Sequence, residues 1–201
     1  MVTRWLLRPG ALLILFLAAA FMISASNISG SISRTEGDLD ADGVIEEYFL
    51  ENGSLTVKEG PLLLWKSPED WNIDSFALGD VDHDNQVNLV MSLWKEGSFS
   101  EIRPFWHSGE DNSYKNHLFV YELAENRFQP VWCSSDLDCP ILSFTIRDDD
   151  GDGRAELIVK EGRYRKIAGE RYGIEPGGPV RTAVWQWKEW GFSLENAIDL
   201  R

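Results

Sequence analysis

Beyond its first 26 residues the chain shows no long stretch of helical periodicity. Short apolar, aromatic and β-branched runs follow one another instead, broken by turn residues. Two runs are copies of one pattern: Ser75-Phe76-Ala77-Leu78 recurs 68 residues later as Ser143-Phe144-Thr145-Ile146. Each is followed by an acidic stretch and then by an apolar run, Leu89-Val90-Met91 or Leu157-Ile158-Val159. The pattern predicts a repeated unit of strand, acidic hairpin and strand. Two further strands complete each unit, over residues 117–123 and 127–132 in the second and 182–187 and 191–195 in the third. In the first unit the candidates are residues 32–36 as a short polar leading strand, then 55–58 and 62–65. There Glu47 stands where the other units place Leu89 and Leu157.

Four antiparallel strands per unit is the composition of a propeller blade. The expected fold is therefore all-β, a β-propeller-like array of about three four-stranded antiparallel blades near residues 31–68, 72–134 and 139–199. Three is fewer than the usual four to eight, so either the ring closes incompletely or blade edges self-associate. Extra residues fall at about 96–116 and 161–181, the second connection of the second and third units. In a four-stranded meander both lie at the end opposite the acidic hairpins.

The acidic hairpins carry the chemistry. Asp38, Asp40, Asp42 and Glu46 form the first ladder, Asp80, Asp82, Asp84 and Asn88 the second, and Asp148, Asp150, Asp152 and Glu156 the third. Each places oxygen donors at loop positions 1, 3, 5 and 9, with Gly43, Asn85 or Gly153 at the sharp turn of position 6. Calcium takes six to eight hard oxygen ligands in a flexible shell, and this spacing suits it. Val44, Gln86 and Arg154, at position 7, would add backbone carbonyls. Up to three mainly structural Ca²⁺ ions are expected, the middle one weakest because Asn88 offers an amide oxygen. An EF-hand needs a bidentate acid at position 12, where this chain has Phe49, Met91 and Val159, all in predicted strands.

The ladders resemble the FG-GAP or VCBS (integrin-alpha N-terminal-like) repeat family, whose D-x-D-x-D-G-x-x-D/E loop sits on a hairpin of a propeller blade. Asp148 to Glu156 matches closely, the first loop matches with Glu46 at position 9, and the second departs at Asn85 and Asn88. The resemblance implies extracellular binding or adhesion rather than catalysis.

Charge sharpens this picture. The chain has 201 residues and a net charge of −14, and the ladders supply eleven of its 33 acidic residues. The remainder, 22 acidic against 19 basic, is near balance. No broad basic surface exists to neutralise phosphates, which excludes nucleic acid as a partner class. Residues 1–26 read as a signal peptide or an N-terminal membrane anchor, with Arg4 and Arg8, an apolar run over 11–23 and small residues at 24–26. Residues 27–201 would then form one exported domain, secreted or held at the cell surface, and the membrane would be met only through the N-terminal segment. Cys133 and Cys139 have two open readings, a disulfide or two small buried hydrophobes.

No nucleophile elbow, phosphate loop or zinc pair is present, and the chain is expected not to be an enzyme. Trp106 and His107 lie in the first long connection. Arg163, Arg165, Lys166 and Arg171 lie in the second, with Glu170 and Glu175 as internal partners. These, with Trp190 at a predicted hairpin tip, are the candidate partner contacts; the alternative for each is a packed or internally paired loop. The expected function is an extracellular binding module for a protein or an anionic cell-wall polymer. The alternatives are a secreted polysaccharide-active enzyme and a purely structural calcium-stabilised spacer.

Overall fold

A computed structural model describes residues 25–26, 32–98 and 111–200. Among them the chain is all-β, and no helix is long and apolar enough to cross a membrane. Strand β1 is the pair Ala25–Ser26. The first sheet is a four-stranded meander of β2 (Ser33–Gly37), β3 (Glu46–Glu51), β4 (Ser54–Glu59) and β5 (Leu62–Lys66). The second is built on β6 (Asn72–Gly79), β7 (Asn88–Glu96), β8 (Tyr114–Ala124) and β9 (Arg127–Cys133). The third uses β10 (Ile141–Arg147) and β11 (Glu156–Glu161); a hairpin, β12 (Tyr164–Ala168) and β13 (Arg171–Ile174), interrupts it before β14 (Val180–Lys188) and β15 (Gly191–Leu200). The interrupting hairpin joins the second sheet through a parallel bridge between Arg171 and Tyr114, and β1 pairs with β6. The remainder of the predicted signal or anchor segment, with Trp106 and His107, lies outside the described residues.

Each acidic ladder joins the first two strands of a sheet, as the repeat predicts. Gly37 pairs with Glu46, Gly79 with Asn88 and Arg147 with Glu156, so the three loops are closed by equivalent residues. Phe49, Met91 and Val159 lie within β3, β7 and β11, where no EF-hand ligand could sit. The bulge between Ile73 and Ser75 on β6 recurs between Ile141 and Ser143 on β10.

Two cores explain the burial pattern. Tyr48, Leu50, Leu55 and Val57 of the first sheet pack against Phe76, Leu89, Met91 and Phe119 of the second. Val90, Leu118 and Val120, on the opposite face of the second sheet, pack against Phe144, Ile146, Leu157 and Val159 of the third. The middle sheet is thus covered on both faces, and β7 is buried from Asn88 through Lys95. β3 has one covered face and alternates instead, Glu46, Tyr48 and Leu50 buried and Glu47 and Phe49 half-buried.

The anomaly at Glu47 follows from this order. Leu89 and Leu157 each face the preceding sheet; the first sheet has none, and Glu47 meets Arg34 near solvent. Arg34 and Lys58 both lie over the Phe49 ring on that outer face. At the other end Thr145, Arg147 and Lys160 are exposed on β10 and β11. Apolar side chains share these faces: Leu63, opposite Lys58, is exposed, and Ile158, opposite Thr145, is half-buried.

Fourth-strand tryptophans seal the gaps between sheets. Trp65 packs on Tyr121 and Phe128 of the second sheet, and Trp132 packs on Trp187 and Phe192 of the third. Two residues after each, a buried serine turns the chain. Ser67 Oγ accepts the Leu55 N–H at 3.1 Å, and Ser134 Oγ accepts the Leu118 N–H at 3.0 Å.

Candidate metal centres

The three loops share one hydrogen-bond scheme. The position-1 aspartate accepts the position-6 N–H: Gly43 to Asp38 at 3.0 Å, Asn85 to Asp80 at 3.0 Å and Gly153 to Asp148 at 2.9 Å. The position-5 aspartate accepts the position-7 N–H, from Val44 at 2.7 Å, Gln86 at 2.8 Å and Arg154 at 2.8 Å. The position-9 side chain reaches back to the position-2 N–H, from Leu39 at 2.7 Å, Val81 at 3.0 Å and Asp149 at 2.9 Å. Position 6 has φ of 88°, 70° and 87° at Gly43, Asn85 and Gly153. Sequence reading missed a second left-handed residue at position 4, where Ala41, His83 and Gly151 have φ of 57°, 64° and 81°. For alanine and histidine that conformation costs of order 1 kcal/mol, a sign that the loop is over-determined.

Carboxylate oxygens converge within each loop. Asp38, Asp40, Asp42 and Glu46 offer atoms all within 4.8 Å of one another, as do Asp80, Asp82 and Asp84, and Asp148, Asp150 and Glu156. Ligands on opposite sides of one calcium ion stand at most about 5 Å apart, so each group could hold one ion. Asp152 falls outside the third group, although its Oδ1 accepts the position-7 N–H just as those of Asp42 and Asp84 do.

The ninth position separates the loops. Glu46 is fully buried, its Oε2 accepts the Leu39 N–H, and its Oε1 has no partner. Glu156, 3% exposed, repeats this: Oε2 takes the Asp149 N–H and Oε1 is unpartnered. A buried carboxylate oxygen without a donor is costly, and a cation is the partner it lacks. Burial first, and then the charges of Asp40, Asp38 and Asp42, push the Glu46 carboxyl up despite the Leu39 hydrogen bond. Asn88 is buried too, but its Oδ1 must face the Val81 N–H, which leaves Nδ2 as the unpartnered atom. The amide oxygen that the sequence assigned to the middle site is therefore already spent, and a donor takes its place.

The other candidates divide. Cys133 and Cys139 carry unbridged thiols. Cys133 packs against the core between the first and second sheets, whereas Cys139 feels Arg181 and Glu161 of the third. Burial pushes the Cys139 thiol up. Of the basic cluster, Arg163 faces Glu175 at 3.9 Å, Lys166 faces Glu170 at 3.0 Å, and the Arg171 guanidinium stacks 3.7 Å above Tyr114. The internally paired reading accounts for these three, and Arg165 remains exposed. As the meander predicts, the β12–β13 hairpin meets the start of β8, far from the acidic loops: the Tyr114 N–H donates to Glu170 O at 2.9 Å. His83 is half-buried, its Nε2 lying 3.1 Å from Ala155 O and linking the second and third loops.

Two polar features had no sequence signal, because both depend on contacts between distant strands. His117 is fully buried, with Nδ1 3.3 Å from Ser134 O and Nε2 3.4 Å from Asp136 Oδ1. Burial, then the Lys95 charge, pushes its pKa down to about 4. Asp74, the extra residue of the β6 bulge, accepts the Trp94 Nε1–H, and burial pushes its carboxyl up to about 6. A folded pKa above the unfolded value stabilises the protein at low pH, and that stability is lost as pH rises from about 4 to about 6. Asp74→Asn keeps the acceptor for Trp94 without the charge. It is expected to be more stable than wild type at pH 8, by up to about 3 kcal/mol. The gain should vanish near pH 4. Thermal melts at both pH values check this; an equal effect at both would show that charge burial is not the cause.

Fold and loops together define an all-β protein of three antiparallel sheets with acidic clusters that could hold metal ions. No family model, curated protein or solved structure matches the chain.

Proposed function

We propose that the chain is an exported calcium-binding repeat protein that serves as a binding or interaction module at the cell surface or beyond it. The observation carrying this reading is the buried, unpartnered Oε1 of Glu46 and of Glu156, each grouped with convergent aspartates. On this reading the three sheets are propeller-like blades of the FG-GAP or VCBS kind. Calcium ties the first two strands of a blade together, with backbone carbonyls of Val44 and Arg154 completing the shell. The metal is structural, and partners meet surfaces away from it. Export is supported by the leader-like first 26 residues and by loops that suit calcium-rich surroundings.

Isothermal titration of chelator-stripped protein with calcium tests the reading. Two sites are expected to dominate, in the first and third loops, with the middle loop far weaker because Asn88 presents a donor. Absence of saturable calcium binding would overturn the proposal. Three equivalent sites would overturn the role given to the ninth position.

A further inference from the structure

Between β9 and the β14–β15 hairpin lies a cleft of about 490 Å³, within the range of small-ligand sites. It reaches from the Glu161–Arg181 ion pair, at the start of β14, to Trp190, beyond its end. Its course therefore follows the strands, which suits a linear ligand. Trp190 is 79% exposed, and Leu194 beside it is 50% exposed. Trp132 forms the inner wall. A Cβ at Gly191 would fall 2.5 Å from Trp132 Nε1, so only glycine lets that indole lie against the hairpin that presents Trp190. Glu161, 2% exposed, is set between Arg181 Nε–H and the Trp185 Nε1–H at 3.1 Å. Asp138 is exposed at the rim.

We propose that this cleft binds a neutral or amino-sugar oligosaccharide. A pyranose ring has an apolar C–H face, which an exposed indole covers, and an edge of hydroxyl donors, which carboxylates accept strongly. Trp190 and the rim carboxylate of Asp138 pair these two requirements, the Glu161 oxygens being taken by Arg181 and Trp185. A proline-rich peptide also favours aromatic grooves, but proline has no N–H to donate, so the rim carboxylate of Asp138 would be desolvated without a partner from it. Charge narrows the choice of sugar. Asp136, paired with Lys115 at 3.5 Å, and Glu161, paired with Arg181, leave the exposed Asp138 as the excess charge of the lining, so a uronic acid would meet net negative charge. The inference stands on the cleft alone, and no ladder residue lines it.

The test is a glycan array carrying neutral, N-acetylated, amino and uronic-acid oligosaccharides, probed with the full chain. Hits are followed by titration calorimetry, with a proline-rich peptide as comparison. Saturable binding of a neutral or amino-sugar chain is expected. Trp190→Ala should weaken it at least tenfold and Asp138→Asn several-fold. Both positions are exposed, so neither change threatens the fold, and Phe49→Ala on the far outer face should leave binding unaltered. No binding to any arrayed sugar, preference for uronic acids or for the peptide, or indifference to Trp190→Ala would each overturn the proposal.

Discussion

Calcium is expected to raise the melting temperature of chelator-stripped protein by roughly 10–20 °C. A site at hundredfold saturation adds about 2.7 kcal/mol, and chains of this size shift by roughly 2–4 °C per kcal/mol. With two such sites, in the first and third loops, the shifts combine. Glu46→Gln should remove one. Glutamine keeps an oxygen for the Leu39 N–H but turns an amide donor inward, as Asn88 does in the middle loop. Asn88→Asp makes the reverse change and should show a crossing pattern. In chelator it adds a buried carboxylate to Asp80, Asp82 and Asp84, of which Asp82 is already pushed up by burial and by its neighbours. The variant should therefore melt below wild type in chelator and above it in calcium. Calorimetric scanning with and without calcium reads all of these. A wild-type melting temperature indifferent to chelator would sink the structural role of the metal. An Asn88→Asp variant that responds like wild type would sink the assignment of the ninth position.

Most of the strand pattern was legible because sheets with one or two covered faces write themselves directly into the sequence. The second and third units carry apolar runs on both sides of the ladder, and β6, β7, β10 and β11 fall where those runs predict. What the pattern left open was the order of packing. Glu47 looked like a flaw in the first repeat, yet it is the mark of an end sheet, since the equivalent Leu89 and Leu157 face a neighbour and Glu47 does not. A second repeat was also open to view: Trp65-Lys66-Ser67 and Trp132-Cys133-Ser134 close the fourth strands of consecutive sheets. It escaped notice because it lies outside the acidic ladders. The ladders themselves revealed spacing but not direction. Spacing could not show that Asn88 spends its oxygen on Val81 or that Asp152 stands outside the third carboxylate group. Nor could it show that Cys133 and Cys139 line one cleft without a bridge while Cys133 also packs on the core of the first two sheets, because that depends on how β9 faces its neighbours.

Gly79→Ala is expected to destabilise the protein by about 1–3 kcal/mol through a clash across the second core. A Cβ there would lie 2.8 Å from Ile146 Cγ2 and 3.4 Å from its Cβ. Ile146 is 4% exposed and held in the core of the second and third sheets, so it cannot swing clear. The same contact opens the stack, where a Cβ on Gly37 would meet Leu78 Cδ1 at 2.7 Å. There the opposing atom is the tip of a flexible side chain, and Gly37→Ala should cost less. In the third sheet the equivalent residue is Arg147, which faces outward and ion-pairs with Asp149 at 2.6 Å. Arg147→Ala should fall within about 0.5 kcal/mol of wild type, as surface changes usually do. A double-mutant cycle isolates the cause. Ile146→Ala alone should cost about 2–5 kcal/mol by leaving a cavity, and adding Gly79→Ala should then cost little, because the truncated side chain makes room. Denaturant unfolding of the four proteins gives the coupling. If the two losses simply add, the glycine is not there to admit the neighbouring sheet, and the close approach at Gly37 and Gly79 needs another explanation.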